Sequence, residues 1–285
     1  MKNIINKKKI IGISGYNSFL ASSFIKEFKK QFIFKKYSND INDHKKFDIW
    51  VKNNKNLNYF INFAAAIGSS SVSKNIDALF KTNFHSATML MDTINSNKLK
   101  KFEYFLALST SHVFKKSQYK LKESSVKLPN SNYGKSKLKM EKYIIRNKQK
   151  YFFKIGIARI FNYYNLQNKH NFINDVLKKL KNNNMIVEFK NVDTYRDFMH
   201  LKDVVGALDH MIKLKLTDDY NICSGEKIYL KDMICNLNLN IKNKKVIFKI
   251  KKTKNLIGSN HKLKKTKWKC EKIFNHNQLF YNLNL

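Results

Sequence analysis

The sequence predicts an α/β protein built on a doubly wound parallel sheet. Two observations carry that expectation. Across the first half, short β-rich runs alternate with helical patterns at the spacing of strand–helix–strand units. The first run also breaks at Ser14-Gly15-Tyr16-Asn17-Ser18 directly into a helix, an arrangement in which a tight turn presents a helix N-terminus to an anion.

Strands are predicted at Lys9–Ser14, Phe32–Tyr37, Tyr59–Ala64, Phe102–Ser109 and Phe152–Arg159, with helices near Phe19–Lys30, Asn75–Asn95 and Tyr133–Lys148. After Phe161 the pattern changes to a helix at Phe172–Asn182, a short strand at Met185–Phe189 and a helix at Leu201–Leu214, followed by a mixed, lysine-rich tail. The basic stretch Met1–Lys9 precedes an apolar run too short for the h-region of a signal peptide, so Ile10–Ser14 reads as the first strand.

Composition narrows the function classes. No window approaches the length of apolar sequence that spans a bilayer. Cys223, Cys235 and Cys270 are widely spaced and form no C-x-x-C, so neither a disulfide framework nor a thiolate metal site is indicated, and a reducing cytoplasm fits. The net charge of +36 comes almost wholly from lysine: Arg146, Arg159 and Arg196 are the only arginines among 56 basic residues. The lysines are spread evenly, whereas a nucleic-acid surface favours the bidentate arginine fork, so no nucleic-acid partner is expected. Where arginine persists against such a bias, a specific geometric need is expected.

Three segments of the first half carry candidate chemistry. In the turn after the first strand, Gly15, Asn17, Ser18, Phe19 and Leu20 would face a pyrophosphate, although an ordinary strand–turn–helix gives a similar pattern. In Ile61-Asn62-Phe63-Ala64-Ala65-Ala66, the small residues Ala64 and Ala65 would let a ligand lie against backbone. Tyr133 and Lys137 stand four apart, which brings both to one helix face; the ammonium then favours the tyrosinate form of a phenol whose ordinary pKa is about 10. In so lysine-rich a chain this spacing arises readily by chance, yet of the 14 tyrosines only Tyr133 has a lysine four residues on.

Taken in order, these segments resemble the extended short-chain dehydrogenases/reductases of the NAD-dependent epimerase/dehydratase family. The turn resembles T-G-x-x-G-F-[IL]-G, with Ser18 in place of the second glycine and Ala21 in place of the third. Ser109-Thr110-Ser111-His112-Val113-Phe114 resembles S-[ST]-x-x-V-[YF]. Ala158-Arg159-Ile160-Phe161-Asn162-Tyr163-Tyr164 resembles R-x-F-N-x-Y-G-P, with Asn165-Leu166 for the Gly-Pro. Tyr195-Arg196-Asp197-Phe198-Met199-His200 and Tyr220-Asn221-Ile222-Cys223-Ser224-Gly225 resemble R-D-[FW]-x-[HY] and Y-N-[VI]-x-[ST]-G.

The resemblance implies a Rossmann domain over 1–163, rejoined by about 193–222, and a smaller C-terminal α/β substrate domain over 164–192 and 223–285. It implies NAD or NADP as cofactor, with Thr110, Tyr133 and Lys137 as the catalytic set. Ser111, His112, Asn162 and Arg196 are expected at the substrate, a nucleotide-diphospho-sugar, with Arg196 on its phosphates. Ser111 and His112 stand where the family's dehydratases carry an Asp-Glu pair, which disfavours dehydration. Leu256-Ile257-Gly258 to Leu263 before Trp268 looks most like GDP-4-keto-6-deoxy-mannose reductases. A 4-keto reductase is therefore expected ahead of a 4-epimerase, with a non-catalytic dinucleotide-binding relative as the third reading. A cytoplasmic homodimer is expected by resemblance. Lys35 and Lys36, or Asp40, at the end of the second strand would choose between the two cofactors.

Overall fold

The computed structural model describes residues 7–67, 75–165, 167, 171–239, 241, 243–249 and 255–271. The elements in chain order are β1 (Ile10–Ser14), α1 (Phe19–Phe28), β2 (Ile33–Lys36), α2 (His44–Asn53), β3 (Tyr59–Asn62), α3 (Ile76–Phe80), α4 (Ser86–Ser96), β4 (Tyr104–Thr110), α5 (Asn132–Asn147), β5 (Lys154–Ile160), β6 (Asn162–Tyr164), α6 (Phe172–Lys181), β7 (Ile186–Lys190), β8 (Tyr195–Arg196), β9 (Phe198–His200), α7 (Leu201–Leu214), β10 (Asp219–Ile222), β11 (Ile228–Tyr229), α8 (Leu230–Leu239), β12 (Lys245–Lys249) and α9 (His261–Lys264).

The chain divides into two compact units. Unit one is Met1–Val113, Lys127–Arg159 and Leu208–Asp219; unit two is Phe114–Val126, Ile160–Ala207 and Tyr220–Leu285. The central sheet runs in the order β10-β5-β4-β3-β1-β2. β1 pairs in parallel with β2, Ile10 opposite Ile33, and with β3, Ile11 opposite Tyr59. β3 continues in parallel to β4, Tyr59 opposite Tyr104. The chain therefore places β2 on one side of β1 and β3 on the other, which opens a crevice at the carboxyl ends of these strands. This is the doubly wound α/β class that the alternating pattern predicts.

Every residue of β3 and β4 is buried, as expected of strands covered on both faces. Phe47, Phe60, Phe105, Leu90 and Met91 meet in the core of unit one. α2, which has no counterpart among the predicted helices, buries only Phe47 and Val51, one turn apart, and is capped by Asp43, whose side chain accepts from Lys46 N. Each such burial contributes about 1.5–3 kcal/mol, and the partly buried Trp50 packs against the same core while Ile49 stays exposed. The single helix predicted over Asn75–Asn95 is instead α3 and α4 joined by a π-helical turn, Lys81–His85.

In unit two, Ile173, Leu177, Val187, Phe189, Met233 and Ile234 share a separate core. β7 pairs in parallel with β12, β6 in parallel with β9, and β8 antiparallel with β11. Among the described residues no helix is long and apolar enough to cross a membrane.

Candidate active site

The turn after β1 is built around Gly15, at φ +64°. A Cβ added there would stand 2.5 Å from the backbone nitrogen of Ala64. Glycine is thus required twice, by backbone conformation and by close approach of the segment that follows β3. Asn62 brackets the two strand ends: its Oδ1 accepts from Ser14 Oγ at 2.7 Å and from Ala64 N at 3.2 Å. Ser18, the departure from the glycine pattern, sits at φ −66° and ψ 149°, extended backbone open to any residue. Its Oγ caps α1 by accepting from Ala21 N at 3.3 Å.

A cleft of about 360 Å³ opens here, lined by Gly15, Asn17, Ser18, Ala64 and Ala65 together with Tyr37, Ser38 and Asn39 beyond β2. Phe19 and Leu20 do not line it with their side chains. They form the first turn of α1, ahead of the first helical hydrogen bond from Ser22 N to Ser18 O, so their amides belong to the helix's unpaired N-terminal set. The Gly15 cradle and this helix terminus fit a dinucleotide pyrophosphate. Of the residues expected to read the ribose, Lys36 lies over the Tyr16 ring at 5.3 Å, and Asp40 accepts from Asn42 N and Nδ2 at 3.0 and 3.1 Å.

A second group of expected residues gathers where β4 meets α5. Thr110 ends β4, buried, with Oγ1 accepting from His112 N at 3.3 Å. Ser111, buried, opens a 3-10 turn through Val113. Ser131 caps α5, accepting from Gly134 N at 3.1 Å, and this sets Tyr133 in the first turn. A Cβ on Gly134 would lie 2.4 Å from His112 O, so this glycine lets α5 pack on the turn. As a result the rings of Tyr133 and the exposed His112 meet edge-on at 6.0 Å. One helical turn on, Lys137 is only 2% exposed and donates to Leu108 O at 2.9 Å. Burial lowers its pKa from 10.5 to about 8, opposed by the charge of Glu141. Unit one thus holds Thr110, Ser111, His112, Tyr133 and Lys137 in one cluster.

Asn162 and Arg196 lie in unit two. Asn162 Nδ2 donates to Asp197 O at 3.2 Å. Arg196, half-buried on β8, donates to Thr194 Oγ1 at 2.5 Å and Tyr195 O at 2.8 Å. Its neighbour Asp197 is fully buried, accepting from Ser224 N, Ser224 Oγ, Gly225 N and Gly258 N at 2.7–3.2 Å. One carboxylate therefore ties three of the sequence motifs together, and burial pushes its pKa up. A cleft of about 1090 Å³, lined by Lys115, Lys116, Tyr119, Tyr195, Tyr229 and Asn255 among others, also lies in unit two. None of the expected site residues lines it.

A family model described as GDP-mannose 4,6 dehydratase matches residues 4–278. The chain belongs to this family, within the extended short-chain dehydrogenases/reductases. A dTDP-4-dehydro-6-deoxyglucose reductase of Escherichia coli is 27% identical over 197 residues, 67% of this chain. That match spans 62% of the curated relative's own length. RMD from Pseudomonas aeruginosa, solved with NADPH, superposes with a TM-score of 0.81 at 16% identity, covering 95% of this chain and 96% of that one. A UDP-glucose 4-epimerase of Thermus thermophilus, solved with NAD, gives 0.78 at 16% identity, covering 93% and 95%. At such identities the two structures show likeness of fold.

Two further residues are tied to the cluster of unit one and were not anticipated from the sequence. Asn83, 1% exposed in the π-helical turn, has its Oδ1 accept from Ala66 N and its Nδ2 donate to Ala66 O and Ser136 Oγ, at 2.9, 2.9 and 3.1 Å. It links the strand end beside the small cleft to the helix of Tyr133 and Lys137. A π-turn often marks a functional position, but it has no simple sequence period. Glu141, fully buried one turn beyond Lys137, accepts from Ser109 Oγ at 2.5 Å and from Arg159 Nε and Nη2 at 2.8 Å each.

Proposed function

We propose that the chain is an NAD(P)-dependent oxidoreductase that reduces the 4-keto group of a nucleotide-diphospho-sugar. The observation that carries this is the placement of Tyr133 and Lys137 on α5 beside the end of β4, in the same unit as the Gly15 cleft. The E. coli reductase supports the direction of the reaction, and the NADPH and NAD carried by the two solved structures support the cofactor class.

Gly15, Asn17, Ser18, Ala64, Ala65 and the first-turn amides of Phe19 and Leu20 would hold the dinucleotide. When bound, its reduced nicotinamide supplies the hydride. Tyr133 gives its phenolic proton to the oxygen of the sugar carbonyl, and the Lys137 ammonium stabilises the tyrosinate left behind. Thr110 donates its hydroxyl to the same oxygen without itself titrating. Arg196 takes the diphosphate with its planar guanidinium, and Asn162 a sugar or phosphate oxygen.

A 4-epimerase is the second reading, because the same three side chains serve an oxidation followed by re-reduction, and the Thermus epimerase shares the fold. Elimination of water is disfavoured by Ser111 and His112, which stand in place of an acid/base pair. A cytoplasmic homodimer, expected from the family resemblance alone, is part of the same proposal.

The test is a screen of nucleotide-sugars and their 4-keto forms with NADH and NADPH, following nicotinamide absorbance and product configuration. Stoichiometric loss of reduced cofactor is expected. Inversion at C4 without net absorbance change would favour the epimerase, and failure to bind either cofactor would remove the enzyme reading.

A further inference from the structure

Glu141 is the acceptor at the centre of a buried network that joins four strands and helices of unit one. On one side it takes the hydroxyl of Ser109, the bonded neighbour of Thr110. On the other it takes both arms of Arg159 on β5, whose guanidinium also pairs with Asp219 at the start of β10. Glu141 and Arg159 are both 0% exposed. A buried ion pair is weak support for stability by itself, because desolvation offsets most of the attraction. What sets this one apart is where it sits. Lys137 is one turn earlier on the same helix, so the carboxylate stands behind the ammonium.

We propose that Glu141 is a positioning residue for proton transfer: it fixes the strand end bearing Thr110 against the helix bearing Tyr133 and Lys137, and keeps a negative charge behind the Lys137 ammonium. The inference rests on the roles given above to Tyr133 and Lys137. The ammonium donates to the Leu108 carbonyl of β4 and feels the charge of Glu141 one turn on. Glu141 in turn takes Ser109 of β4 and Arg159 of β5, while Tyr133, one turn before Lys137, meets the ring of His112 from the adjoining turn. Burial drives Lys137 towards the neutral amine, and the Glu141 charge acts in the opposite sense. Without it the lysine sheds its proton more easily, and the tyrosinate formed during turnover loses its partner.

The experiment compares three variants of the full-length protein, with Tyr133→Phe alongside. Glu141→Gln is expected to lower kcat by about tenfold or more, leave KM within about threefold, and move the alkaline limb of kcat/KM to lower pH. Should the loss of the carboxylate facing the buried Arg159 prevent folding, Glu141→Gln/Arg159→Met removes both charges in a similar volume. The shifted limb is expected to persist there, since the nearer of the two charges to Lys137 is gone. A purely structural role would return the wild-type pH profile in the folded double variant, and that result overturns the proposal. Ser109→Ala cuts only the tie to β4 and is expected to lower kcat without moving the limb; wild-type kcat would remove the strand-fixing part. Wild-type behaviour of the Glu141 variants with an inactive Tyr133→Phe sinks this inference alone. An active Tyr133→Phe sinks the catalytic reading beneath it.

Discussion

Lys137 Nζ donates to the carbonyl oxygen of Leu108 at 2.9 Å, pinning α5 to β4 two residues before Thr110. One donor of the ammonium is thereby committed to the scaffold, one helical turn after Tyr133. The placement of Lys137, proposed above as the partner of Tyr133 in proton transfer, is thus set by the strand–helix contact, with little dependence on loop conformation.

Tyr133→Phe should retain the edge contact with His112 and the fold, while removing the proton. We expect kcat to fall by on the order of 10²–10⁴ and NAD(P)H affinity, read by fluorescence titration, to change less than about twofold. Near-full turnover would take Tyr133 out of the mechanism.

The lowered pKa of Lys137 has a stability consequence of definite sign. Its folded-state value, about 8, lies below the ordinary 10.5, so between those two pH values the unfolded chain binds more protons than the folded one. Stability from this group therefore rises with pH across the window and is lowest below 8. In urea unfolding, wild type should gain stability relative to Lys137→Met between pH 8 and pH 10.5. A constant difference between the two would mean the lysine is not desolvated.

How much of this could be read in the sequence depends on how local each feature is. β1 and α7 follow directly from their apolar periods, and Tyr133–Lys137 is visible because four residues make one helical turn. α2 escaped because its apolar residues, Phe47, Ile49, Trp50 and Val51, bunch within five positions and leave almost no period. Six of the seven strands after β5 have no predicted counterpart, β7 being the exception; several are two or three residues long, too short for alternation to register. The Ser109–Glu141–Arg159 network joins three segments distant in sequence, so no spacing announces it. Its one trace was Arg159 itself, an arginine kept in a lysine-rich chain, and the structure supplies the reason in two parallel bonds to one carboxylate.

Gly15→Ala combines a positive φ with a Cβ 2.5 Å from Ala64 N. The conformational strain alone costs about 1–3 kcal/mol, and the clash displaces the backbone that walls the cleft. A lower melting temperature together with loss of NAD(P)H binding is expected. A variant that melts and binds as wild type would mean that the turn relaxes freely and is no cradle.

Arg196→Ala removes a guanidinium whose structural bonds, to Thr194 Oγ1 and Tyr195 O, leave part of its donor set for a ligand. Losing a charged hydrogen bond of about 1.5–3 kcal/mol should raise KM for the nucleotide-sugar by roughly 10- to 100-fold and leave cofactor affinity in place. An unchanged KM would reassign Arg196 to holding β8.

Ser18 offers the sharpest test of the cofactor loop, because its backbone does not need glycine and its side chain does two things at once. The hydroxyl caps α1 through Ala21 N, and the residue lines the cleft at the helix terminus, where a Cβ would crowd a bound pyrophosphate. Exchange of a capping serine for glycine costs only a few tenths of a kcal/mol, against about 1 kcal/mol for alanine. Ser18→Gly should therefore fold normally and bind NAD(P)H several-fold more tightly, as removal of a methylene from the ligand's path requires. Ser18→Ala keeps the Cβ, loses the cap and should show no such gain. If the hydroxyl instead donates to phosphate, both variants weaken binding, and the serine is a ligand of the cofactor in its own right.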